Sequence, residues 1–257
     1  GVARLDTCAT PRRAVVIVEG LDDVQPAKEE VVMGPPARIA FDASGNPTKA
    51  AEGFARTLGA DVASLSTRQT EKGDYLAGVK KTGGVPTVDV LASLCPSIIA
   101  ALPFAKRMRW GSGDFAYARP IRWIVALLDD AVVPFEIATV VSGRITQGHR
   151  VLGPGPFTLG TAGDYVSTIT QQGAVQLKAA DRRRYIVEEG NRLAEAAQGR
   201  IIWVDGLLDE VQGLVECPVP LLGDIEPSFL ELPREVLLTS MQSHQKSFGV
   251  EDGQGQL

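Results

Sequence analysis

The chain alternates between stretches of strand-like and helix-like hydrophobic patterning, with no regular βα repeat. Residues 14–19 (AVVIVE) follow Pro11 and are rich in β-branched side chains, which predicts a strand. Residues 26–47 carry Pro26, Gly34-Pro35-Pro36 and Gly45-Asn46-Pro47, and that punctuation predicts mostly loop. Asn46 as cap and Pro47 in the first turn then open a helix over 48–58. Ala50, Ala51, Phe54, Ala55 and Leu58 form its apolar stripe, and Gly59 stops it. Residues 74–80 and 85–87 flank Gly83-Gly84 as hairpin arms. A longer helix begins at Thr87, with Val88, Leu91, Cys95, Ile98 and Leu102 on one face and Pro96 placed to kink or break it.

In the middle of the chain the period shortens. Residues 121–128 read as a strand with apolar surroundings on both faces, Asp129-Asp130 as a turn, and 132–141 as the returning strand. After Gly153-Pro154-Gly155-Pro156 the pattern is helical over 161–172 and 177–198. A short strand at 200–204 and helices near 206–216 and 233–243 follow, and SFGVEDGQGQL opens a hairpin. Mixed order of this kind predicts an α+β fold with a mixed or antiparallel sheet core and packed helices.

Composition changes this picture little. The 257 residues are 44% hydrophobic and 22% charged with net charge −5, and no apolar run is long enough for a membrane span. Three cysteines far apart (Cys8, Cys95, Cys217) argue against a disulfide scaffold or structural zinc and point to a reducing, cytoplasmic setting. The lack of an initiator Met, and an end just past Asp252-Gly253, suggest a piece of a longer polypeptide.

Charge is unevenly spread. Residues 101–150 carry seven Lys/Arg against four Asp/Glu, a net +3, which leaves −8 for the rest. Leu102–Trp123 alone holds five aromatics (Phe104, Trp110, Phe115, Tyr117, Trp123) and five cations (Lys106, Arg107, Arg109, Arg119, Arg122). Guanidinium and aromatic planes in one segment suit phosphates and stacked bases, or else a core with paired arginines. In GRITQGHR (143–150), Gly148 frees the backbone beside His149, and Arg144, His149 and Arg150 meet near one strand end. Either a histidine bonded within a β-corner or a phosphate contact fits. Arg182-Arg183-Arg184 wraps too far around a helix to make one stripe, and Asp181 and Glu188 offer it intrahelical partners. Phosphate-loop, dinucleotide, nucleophile-elbow and zinc-protease signatures are absent. The two histidines leave little for a metal site, so no catalytic and no metal-binding residue is assigned.

Five segments together resemble one family. They are TPRRAVVIVEGL (10–21), GPPARIAFDASGNPTKAAEGFAR (34–56), LPFAKRMRWGSGDFAYARPIRWIVALL (102–128), VVPFEI with SGRITQGHRVLGPGPF (132–157), and LPREVLLTSMQSHQKSF (232–248). In order and over nearly the whole chain they are similar to the beta subunit of the bacterial heterotetrameric glycyl-tRNA synthetase. Ala105, Ser247 and Gly249 stand where that family usually has proline, an aromatic and proline.

The resemblance implies an α2β2 glycine–tRNA ligase whose ATP- and magnesium-dependent catalytic core lies in the alpha subunit. This chain itself would hold no cofactor. It implies a core over 1–25 and 101–257 resembling the B3/B4 module of phenylalanyl-tRNA synthetase beta, with a linker subdomain inserted at 26–100. The family's HD-like and anticodon-binding domains would lie outside. The expected role is a noncatalytic tRNA-binding and assembly module, with the alpha subunit, a second beta subunit and tRNA(Gly) as partners and no membrane. Arg109, Arg119, Arg122, Arg144, His149 and Arg150 are the expected tRNA contacts. The alternatives are a purely architectural subunit interface and, by analogy with the B3/B4 module, an editing deacylase.

Overall fold

The computed structural model describes residues 2–42, 44–71 and 73–257. The chain divides into two compact units, residues 22–94 and residues 1–21 with 95–257. Both mix short helices with small, largely antiparallel sheets, so the fold is α+β. The longer unit opens with an antiparallel hairpin of β1 (Arg4–Thr10) and β2 (Arg13–Glu19), paired from Arg4↔Glu19 to Thr10↔Arg13. Alternation turns Leu5, Val16 and Val18 outward, while Cys8 and Val15 face the core.

The unit of residues 22–94 is built on a three-stranded antiparallel sheet. Its strands are β3 (Lys28–Pro36), β4 (Ser66–Thr70) and β5 (Gly73–Thr82), with β5 in the centre. Here two expectations fail. Residues 28–36 are a strand despite Gly34-Pro35-Pro36, because β3 is an edge strand and its register shifts between Met33 and Pro36. Proline is tolerated at such a position, where no ladder N–H is needed. The hairpin partner of β5 is β4, not 85–87, which contributes only an isolated bridge between Pro86 and Val24.

After α1 (Ala37–Ala40), helix α2 (Lys49–Leu58) covers the sheet, burying Ala51, Ala55 and Leu58. Its cap is Thr48, whose hydroxyl accepts from the Ala50 N–H. Asn46 instead donates to Asp42 within the preceding turn. Gly59 ends α2 at φ 65°, a left-handed conformation glycine adopts without strain. Ala40, Ala51 and Leu76 form the core with Phe41, Phe54, Val62 and Leu65 around them. Helix α3 (Thr87–Ala101) spans the boundary between units. It continues through Pro96 without the expected break, leaving Leu94 and Ile98 about half exposed.

In the longer unit, Met108–Arg109 pairs with Ala116–Tyr117, and Leu127–Leu128 with Ala131–Val132 across the Asp129-Asp130 turn. The stretch 132–141 is broken by a turn at Ala138 and Thr139, both at positive φ. Val140–Gly143 sits between Glu136–Ile137, antiparallel, and Ile124–Val125, parallel. Helices α4 (Asp164–Gln171), α5 (Ala179–Ala196), α6 (Asp205–Leu214) and α7 (Arg234–Thr239) follow. The tail strand Val250–Glu251 pairs back onto Arg200–Ile201 rather than starting a hairpin of its own. Ile169, Val175 and Leu177 form this unit's core with Cys8, Val15 and Tyr165.

Candidate nucleic-acid interface

The turn between β1 and β2 carries Pro11, Arg12 and Arg13, and the two arginines part company there. Arg13 begins β2 with its side chain 4% exposed, and it meets Glu216, whose side chain is 2% exposed. Arg13 Nε donates to Glu216 Oε1 at 2.7 Å and Nη2 to Oε2 at 3.2 Å, the fork geometry that suits a carboxylate. The Thr10 hydroxyl donates to the same Oε1 at 2.6 Å, and Arg12 Nη1 to Oε2 at 3.3 Å. Burial alone would raise the Glu216 pKa. The hydrogen bonds from Arg13 and Thr10 and the charges of Arg13 and Arg12 outweigh it and hold the carboxyl below its ordinary range. Burial likewise opposes the charge on Arg13, yet Glu216 keeps that guanidinium above its ordinary value.

The same arginines fasten the segment around His149. Arg13 Nη1 donates to the Gln147 carbonyl at 2.8 Å, and Arg12 Nη1 to the Gly148 carbonyl at 3.2 Å. Gly148 lies so close to Gly153 and Gly173 that a Cβ would fall 1.9 Å from the Gly153 carbonyl oxygen. Both guanidiniums also lie over Trp123, at 5.8 Å (Arg12) and 5.7 Å (Arg13) from the ring centroid, within cation–π range. Beside this locked junction opens a shallow cleft of about 510 Å³ lined by Arg12, Arg122, Trp123, Gln147 and Arg150. Arg122 and Arg150 are exposed, and among the described residues neither is engaged in a hydrogen bond or ion pair.

The six candidate contacts therefore separate. Arg122 and Arg150 line the cleft together. Arg144 braces the fold, donating to the carbonyls of Asp130 (2.8 Å), Leu159 (3.1 Å) and Gly160 (3.0 Å). His149 Nδ1 accepts from the Val151 and Leu152 N–H groups within the turn that follows it. Arg109 is exposed on the 108–117 hairpin, 3.9 Å from Asp114, and Arg119 is exposed. Neither lines the cleft. Most aromatics of the 102–123 segment pack on one another: Phe104 against Tyr117 at 4.7 Å, Phe115 against Tyr117 at 5.8 Å and Trp110 against Phe115 at 5.9 Å. Among the described residues, only Trp123 of this segment lies under guanidinium groups.

Arg12 is the member that sequence reasoning missed. Its signal was two consecutive arginines at the mouth of an apolar hairpin, where strand alternation sends one side chain inward and the other out. A carboxylate in an otherwise apolar run, Glu216 in VECPVP, was the matching half.

The Arg182–Arg184 triplet also differs from expectation. Arg184 pairs within α5, with Asp181 (2.9 Å) and Glu188 (4.0 Å), but Arg183 reaches across to Asp205 and Asp209 of α6. Arg182 is buried. Among the described residues no group of His, Cys, Asp and Glu could hold a metal ion. Burial raises the Cys95 and Cys217 thiols above their ordinary value. No helix of the described residues is long and apolar enough to cross a membrane.

The family described as glycyl-tRNA synthetase beta subunit matches residues 1–257. The chain belongs to that family. It is 62% identical over 248 residues to the glycine–tRNA ligase beta subunit of Nitratidesulfovibrio vulgaris (strain DSM 19637 / Miyazaki F), covering 96% of this chain and 35% of that protein. The beta subunits of Lawsonia intracellularis and Geobacter metallireducens are 53% and 46% identical, over 97% and 98% of this chain and 36% of each relative. The chain thus spans about a third of the length of these curated relatives, and it corresponds to part of an aminoacyl-tRNA synthetase subunit.

Proposed function

We propose that this chain is a noncatalytic tRNA-holding module of a glycine–tRNA ligase. In the whole enzyme an alpha subunit would join glycine to tRNA(Gly) with ATP and magnesium, in the cytoplasm, as an α2β2 assembly. The chain's folded core would share the B3/B4 architecture, with the 26–100 linker inserted. The observation that carries the reading is the cleft in which Arg12, Arg122 and Arg150 converge beside Trp123. Arg122 and Arg150, exposed and without partners among the described residues, are suited to backbone phosphates, and each phosphate neutralised releases counterions. Arg109 and Arg119 are further exposed cations for the same backbone, whereas Arg144 and His149 support the scaffold. In the full α2β2 enzyme, Arg122→Ala and Arg150→Ala should each flatten the log–log salt dependence of tRNA binding by roughly one unit. Slopes identical to wild type in both variants would remove the tRNA role.

A second reading rests on a different surface. Between residues 219 and 236 the chain exposes Val219, Leu221, Leu222, Phe229, Leu230 and Leu232, with Leu221 87% exposed. Asp224, Glu226, Glu231 and Glu235 punctuate the run. An acidic apolar surface repels RNA and suits a protein neighbour with a basic rim. Leu221→Asp with Phe229→Asp should release a partner subunit in size-exclusion chromatography of the co-expressed enzyme while leaving the beta chain folded. An intact assembly would exclude this surface as the subunit contact.

A further inference from the structure

We propose that the cleft takes one unpaired ribonucleotide, its phosphate between Arg122 and Arg150 and its base against the wall formed by Trp123 and the Arg12 guanidinium. The Gln147 amide would meet the edge of the base. This deepens the tRNA-holding reading and rests on it.

The lining residues divide into two kinds. Arg122 and Arg150 have their donors unspent among the described residues, as a phosphate requires. Arg12 is different. Glu216 at 3.3 Å, the Gly148 carbonyl at 3.2 Å and Trp123 at 5.8 Å hold it in place. A guanidinium committed at one nitrogen and lodged over an indole offers its flat face more readily than a free fork. Guanidinium and indole planes are the surfaces on which unstacked bases lie.

Gln147 adds a second kind of recognition. Its carbonyl is held by Arg13 at 2.8 Å, and its neighbours are fully buried Thr146 and Gly148, which has no room for a side chain. The backbone from which its amide projects is thereby fixed, and the amide is unspent among the described residues. A phosphate has no use for an acceptor, whereas a base edge presents donors and acceptors together. A volume of about 510 Å³ lies within the roughly 300–1,000 Å³ of small-ligand sites and has room for one nucleotide. Paired bases hide both faces and the Watson–Crick edge, so the ligand must be unpaired.

The test uses the full α2β2 enzyme with short single-stranded RNA homo-oligomers and a blunt RNA duplex, read by fluorescence anisotropy. Trp123→Leu should weaken single-strand binding roughly tenfold, as expected for one lost base stack, with duplex binding and the salt slope unchanged. Gln147→Ala should narrow the differences among the four homo-oligomers. If Trp123→Leu weakens strand and duplex alike, the fold is damaged and Gln147→Ala alone decides. Wild-type behaviour of Gln147→Ala and Trp123→Leu, with Arg122→Ala and Arg150→Ala still flattening the salt slope, would overturn the nucleotide site and leave a phosphate clamp. Failure of the arginine variants as well would remove the tRNA reading beneath it.

Discussion

Glu216→Ala should destabilise the unit that carries the cleft by about 3–5 kcal/mol, measured as the shift in denaturant midpoint at constant m. The carboxylate is the shared acceptor of Arg13, Arg12 and Thr10, and Arg13 is almost fully buried. Deleting the acceptor leaves a buried cation with the Gln147 and Gly148 carbonyls, the Tyr165 hydroxyl and the Trp123 ring to answer it, none of them a full negative charge. The pair's value therefore shows as the penalty of breaking it, not as a net gain from having it. Glu216→Gln keeps the shape and isolates the charge. Its folded-state pKa is depressed, so the wild-type advantage over Glu216→Gln should be complete above the unfolded pKa of about 4.3. It should vanish as pH falls through the lower folded-state pKa. Parallel stability curves for the two proteins across acid pH would mean that the carboxylate is not held charged by its arginines.

That junction also marks where the sequence stopped being legible. Helices α2 and α5 were readable because their stop signals and apolar period agree locally, although the cap of α2 proved to be Thr48 and not Asn46. Gly59 at the end of α2 needs no distant information to be understood. Strand β3 was not readable, because Gly34-Pro35-Pro36 is loop punctuation unless the segment is known to lie at a sheet edge with a register shift. Arg122 and Arg150 were foreseeable as exposed cations in a basic stretch. Their convergence with Arg12 was not, since it depends on a buried carboxylate more than 200 residues away that only the folded chain brings to the hairpin turn. Local charge density marked the neighbourhood, while the long-range Glu216 contact selected the residues.

Arg182 should behave as the second structural keystone, and comparing it with its two neighbours makes a sharp experiment. Its side chain donates to the carbonyls of Gln212 (2.9 Å), Gln176 (2.7 Å), Leu177 (2.9 Å) and Ala9 (3.1 Å), and to the Gln212 side chain (3.3 Å), while the residue is 2% exposed. One guanidinium thus ties β1, the segment before α5, and α6 together. Burial lowers its pKa and the nearby Glu216 charge draws it partly back. Arg182→Ala removes donors from several carbonyls at once, at about 1–3 kcal/mol for each acceptor left without a partner, so a loss of at least about 3 kcal/mol is expected. Arg182→Lys should recover less than half, because an ammonium cannot reproduce a planar fork reaching in several directions. Arg183→Ala and Arg184→Ala, which break only exposed pairs, should each cost under about 1 kcal/mol. Equal losses at all three positions would refute the distinction. The two keystones share a strut as well, since the Gln176 N–H donates to the Glu216 carbonyl at 2.8 Å while its own carbonyl accepts from Arg182. Combining Arg182→Ala with Glu216→Ala should therefore cost less than the two separate losses added, by about 0.5–3 kcal/mol, in a double-mutant cycle. Strict additivity would show that the hairpin turn and the α5–α6 junction are held independently.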